Sequence, residues 1–104
     1  MKKLEQIATN TLVESVREQC MRDFFHEHSE PKQLRSCTAV VYECEHWYVL
    51  RSYDTIIACI DKNSKRCFDF LRLEYGYTST SAQHIRKFQA DYGQRGRVTT
   101  YYVL

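Results

Sequence analysis

The chain has 104 residues, 43% of them hydrophobic and 27% charged, with 15 Lys and Arg against 13 Asp and Glu for a formal charge of +2. This fits one domain, 1–104, with a modest core, and excludes a disordered chain, a dedicated non-specific DNA coat and an acidic DNA mimic. Apolar runs fall far short of the roughly 18–20 residues a membrane span needs, and no apolar stretch follows Met-Lys-Lys, so a cytoplasmic protein without a membrane segment is expected.

Residues 2 to about 28 read as a long amphipathic helix. Leu4, Ile7, Ala8, Leu12, Val16, Cys20 and Phe24 recur at three- and four-residue steps, with Glu5, Glu14, Arg17, Glu18 and Arg22 mostly on other faces. Asn10 and Thr11 lower helix propensity and mark a break or a late start. Pro31 stops the helix by Ser29, because proline disfavours helix in the residue before it, and 31–36 is a loop. Residues 38–44 and 46–51 are β-branched and aromatic, Tyr53-Asp54 is a turn, and 55–60 is a further strand. A second turn follows at 61–65, with Asn63 able to take a positive φ. Residues 66–72 set Cys67, Asp69 and Leu71 against Phe68 and Phe70, which favours a strand over a short helix. Thr80-Ser-Ala-Gln83 is a capping-box sequence, and Ala82, Ile85, Phe88 and Tyr92 then form one stripe before Gly93. The order predicts an α+β fold: a long N-terminal helix, an antiparallel or mixed sheet of four to five strands, a second helix about 80–92 and a C-terminal strand 98–104.

Cys20, Cys37, Cys44, Cys59 and Cys67 are odd in number and irregularly spaced, which reads as free thiols rather than a disulfide framework. Zinc would have to use Cys37, Cys44 and His46 with His26 and His28. C-x6-C-x-H lacks the short paired spacings of structural sites, so no metal and no cofactor is expected. An enzyme ranks last: Asp54, Asp61 and Asp69 are isolated, and Ser79 and Ser81 have no orienting partner except His84.

Thr78, Ser79, Thr80 and Ser81 sit where a helix begins, and free amides with a partial positive charge favour phosphate there. Arg86 and Lys87 lie one turn on, with Arg95 and Arg97 beyond the helix. Capping is the commoner use of such hydroxyls, and no Gly-rich loop brings amides inward. His84 falls beside the Ile85/Phe88 stripe and has two readings, a group that faces a cleft and titrates near neutral pH, or, more plainly, a helix-flank histidine hydrogen-bonded to the sheet. Tyr53, Tyr75, Tyr77, Tyr92, Tyr101 and Tyr102 are candidates for base stacking or a protein-binding face. Strand propensity alone explains Tyr42, Tyr48, Tyr101 and Tyr102. It does not explain Tyr75 and Tyr77, which lead the binding candidates.

Ser52-Tyr-Asp-Thr-Ile-Ile-Ala58, Tyr77-Thr-Ser-Thr-Ser-Ala-Gln-His84 and Phe88 together resemble a group of short proteins encoded by phages and mobile elements of Firmicutes. That group carries S-Y-x-T-x-x-A on a strand pair and Y-S-x-T-T-S-x-H at a helix entry. The likeness spans residues 52–88: Tyr77, Thr80 and His84 are kept, while Thr78, Ser81 and Ala82 replace the group's other serine and threonine. The resemblance implies a setting, an accessory protein in the bacterial cytoplasm during phage infection. In that setting the expected role is binding without catalysis, as an inhibitor of a host defence effector such as a CRISPR–Cas complex. Tyr75, Tyr77, Arg86, Arg95 and Arg97 would carry it, with Trp47 as an anchor if exposed. A nucleotide or nucleic-acid binder, including one that sequesters a nucleotide signal, is the alternative, and a small enzyme the last. A homo-oligomer is a further expectation, because the apolar final strand reads as an edge seeking a mate.

Overall fold

The apolar run at 56–60 has no polar side to turn to water, so it needs a covering layer on each face. The computed structural model, which describes residues 4–8, 10–74, 79–93 and 98–102, supplies both. The elements run β1 (Leu4–Ala8), α1 (Asn10–His26), β2 (Lys32–Gln33), β3 (Val40–Glu43), β4 (Trp47–Ser52), β5 (Thr55–Asp61), β6 (Cys67–Asp69), α2 (Leu71–Glu74), α3 (Ser79–Tyr92) and β7 (Val98–Tyr102). One mixed sheet joins them in the order β1-β7-β6-β5-β4-β3-β2. Strands β2 to β6 form an antiparallel meander. β7 lies parallel to β6 on one side and to β1 on the other. Parallel neighbours need a crossover, and α3 lies on the connection from β6 to β7.

The side-chain alternation of the strands separates two cores. Val13, Cys20 and Phe24 of α1 pack with Tyr42, Trp47, Val49, Cys59, Phe68 and Tyr101 on one face. Ile85 and Phe88 of α3 pack with Val41, Leu50, Ala58, Ile60 and Cys67 on the other. Neighbouring residues such as Val49 and Leu50, or Phe68 and Cys67, therefore serve opposite layers. A bulge interrupts the β4–β5 ladder: Leu50 pairs with Ala58 and Arg51 with Ile56, leaving Ile57 extra. Ile57 thus joins Ala58 in the α3 core while Ile56 turns to the α1 side.

The α+β class, the mixed sheet, the N-terminal helix and the helix before a C-terminal strand agree with the sequence. Several details differ. The first helix starts at Asn10, and 4–8 is a strand, because five residues beside β7 gain a full parallel ladder that their own pattern does not reveal. Leu12 is consequently off the buried stripe, at 41% exposure, and Val13 takes the inward place. That strand and the short β2 raise the sheet from the expected four or five strands to seven. Residues 66–72 combine both readings: β6 ends at Asp69, whose Oδ1 accepts the Leu71 amide at 2.8 Å as α2 begins. In the second turn the positive φ falls on Lys65 (62°), not Asn63, because Asp61 Oδ1 accepts the amides of Asn63 and Ser64 and holds them in the turn. α3 starts at Ser79, so Thr80 lies inside the helix and is not its cap. β7 has a mate on each side within the chain, which removes the edge-strand argument for a homo-oligomer.

Candidate functional site: the β4–β5 hairpin on α3

β4 and β5 meet in a two-residue loop, Tyr53-Asp54, with Ser52 paired to Thr55. Tyr53 occupies the first loop position at φ 56°. Two-residue hairpin loops reserve such a position for Gly or Asn, since a Cβ crowds the backbone in left-handed conformations. The ring is nevertheless 58% exposed. Asp54 accepts only a long bond, 3.3 Å, from Arg51 Nη2.

Beneath this loop lies a polar cluster inside the α3 core. Ser52 Oγ is 2.8 Å from His84 Nδ1 and 3.4 Å from Ser81 Oγ. Ser52, Ser81 and His84 are 0%, 1% and 3% exposed. Ser81 and His84 stand three residues apart on α3, so both fall on the face that carries Ile85 and Phe88 inward. Burial, and then the nearby Lys87 ammonium, push the His84 pKa below its ordinary 6.5. The neutral imidazole is therefore favoured at pH 7, and either the Ser52 hydroxyl donates to Nδ1 or Nδ1–H donates to Ser52 Oγ, depending on the tautomer. Among the described residues no buried side-chain polar atom is left without a hydrogen bond. The cluster ties the hairpin to the helix, and Tyr53, directly after Ser52 in the chain, stands with its ring 6.2 Å from that of His84.

The residues singled out in the sequence divide sharply. Tyr75, Tyr77, Thr78, Arg95 and Arg97 lie outside the described residues, as does the side chain of Ser79. Thr80 and Arg86 are exposed on α3, whereas Ser81 and His84 are turned inward and occupied. His84 thus takes the plainer of its two readings. Trp47 is no exposed anchor: it is 6% exposed, and its Nε1–H donates to Asp23 Oδ2 at 2.8 Å. The indole carries most of its area into the α1 core and needs one acceptor there, which Asp23 provides. Tyr101 is buried with its hydroxyl accepting from Arg66 Nη1 at 2.9 Å, and Tyr92 packs on Tyr48 at 5.0 Å. Among the described residues, no group of three or more His, Cys, Asp or Glu is placed to hold a metal ion. No helix there is long and apolar enough to cross a membrane. Ser52 was not among the candidate site residues, and Tyr53 was named only as one of six candidate tyrosines, behind Tyr75 and Tyr77. A bulky aromatic at the head of a two-residue hairpin loop was the available signal.

The two segments of the resemblance, 52–58 and 77–84, meet at this cluster through Ser52, Ser81 and His84. No protein-family model matches the chain, and neither a curated protein nor a solved structure is significantly similar to it.

Proposed function

We propose that the chain acts by binding a protein partner through the surface where the β4–β5 hairpin meets α3, without covalent chemistry of its own. The observation that carries this reading is Tyr53, an exposed aromatic held at φ 56° over a fully buried clamp. A left-handed φ on such a residue costs on the order of 1–2 kcal/mol, and exposure returns none of it. A gain outside the chain accounts for its presence, and an exposed tyrosine offers the large area and polar tip that dominate interface hot spots. Thr80, one helical turn before His84 on α3, is exposed as well. The formal charge of +2 favours a protein over a long polyanion. The resemblance to phage-encoded proteins makes a bacterial defence effector, such as a CRISPR–Cas complex, the partner class to try first.

Capture of purified defence effectors on the immobilised chain tests this, with Tyr53→Asn as the probe. Asparagine accepts the loop conformation, so the variant should melt higher, by up to about 1 kcal/mol of stability, while losing capture. Capture that survives the substitution, or a variant that is less stable, removes Tyr53 from the site.

One observation favours a second reading. Ser52 Oγ at 2.8 Å from His84 Nδ1 has the spacing of a nucleophile and its base. A hydroxyl with no exposed surface does not meet substrate, which makes the pair a clamp. A fluorophosphonate probe that labels Ser52 in the folded chain would reverse the order of the two readings.

A further inference from the structure

We infer that the face formed by the C-terminal part of α1 and the adjoining ends of β3–β5 is a two-fold interface between copies of this chain, the Phe25 ring of each copy seated in the groove of the other. Phe24 and Phe25 are neighbours with opposite fates: the first is 8% exposed and the second 73%. The two rings meet edge to face at 5.4 Å, so the exposed ring is braced by the buried one. Phe25 stands at the lip of a cavity of about 380 Å³ walled by Met21, Phe24, Tyr42 and Ile56. The bulge described above is what brings Ile56 to this side.

An aromatic knob beside an apolar hole on one patch is self-complementary. Across a two-fold axis each knob meets the other copy's hole. The charges at the rim select the same occupant. Arg17 with Glu74, and Arg51 with Asp54, give two positive and two negative groups, already paired within the chain. Such a rim meets its own copy without net repulsion, and it offers a strongly acidic or basic partner no advantage. The groove borders the same hairpin through Asp54 and Thr55, but Tyr53 does not line it and its ring lies beside His84 of α3, so the two surfaces part at that residue.

Sedimentation velocity of the intact chain, from micromolar to sub-millimolar concentration, tests the inference. The expected result is a monomer–dimer equilibrium whose dissociation constant rises at least about a hundredfold in Phe25→Lys, because symmetry removes two buried rings and faces like charges. Phe25 is an exposed helix residue, and unchanged circular dichroism checks that the variant folds. Tyr53→Asn should leave the constant unchanged, which keeps failure here distinct from failure of the hairpin reading. A chain that is monomeric at every concentration overturns the inference. So does a dimer as strong in Phe25→Lys as in wild type, or a monomer that captures a foreign protein in a Phe25-dependent way.

Discussion

Ser52, Ser81 and His84 decide how the hairpin responds to substitution and to acid. Ser52→Ala leaves His84 Nδ1 buried without its hydroxyl, and a stranded polar group of that kind costs about 1–3 kcal/mol, measurable by urea unfolding. The pH dependence follows from the lowered His84 pKa. The unfolded chain takes up a proton there near 6.5 and the folded chain only at lower pH, so between those values the unfolded state holds more protons. Stability is therefore full above about pH 6.5, falls as the pH drops below it, and levels off beneath the folded value. His84→Gln should flatten that slope, and a slope equal to wild type would move the titration elsewhere. Little of this cluster could be read beforehand. The spacing of Ser81 and His84 puts them on one helix face, but their partner Ser52 is brought by packing of β4 against α3, which no local pattern records.

At the level of elements, α3 is governed by apolar burial rather than by its ion pair. Phe88 is fully buried against the sheet, and Phe88→Ala should cost about 3–5 kcal/mol. Arg35 makes a bidentate pair with Asp91 at 2.7 and 2.9 Å, yet both groups are solvent-exposed, so Asp91→Asn should cost less than about 1 kcal/mol. Denaturant melts of the two variants check the ranking. The stripe of α3 was legible because Ala82, Ile85 and Phe88 recur within one segment. β1 was not, because Leu4, Ile7 and Ala8 satisfy a helical spacing equally well, and the deciding partner lies at the far end of the sequence. Asn10 and Thr11 were the only local sign of the boundary.

Across the whole molecule, the cysteines behave as core filling. Cys20, Cys44, Cys59 and Cys67 are buried and Cys37 is half-buried. Burial pushes Cys44 up to about 11 and Cys67 up to about 12, and Cys59 upward also, so thiolate is scarce at neutral pH. A thiol reagent should titrate Cys37 alone in the folded chain and all five in denaturant; fast reaction of a second thiol would contradict the packing of the core that holds it. Removing residues 1–8 bares the outer edge of β7, and light scattering should then report association beyond that of the full chain at equal concentration, and still present in a Phe25→Lys background. The same pairing governs how the protein is born. Leu4 emerges from the ribosome first among the sheet residues, yet its partner Val98 is synthesised some ninety residues later. At ordinary elongation rates that interval is about 5–20 s. Through all of it the first strand has no place to dock, so the sheet closes only once β7 has been made, and until then the nascent chain stays open to proteases and chaperones.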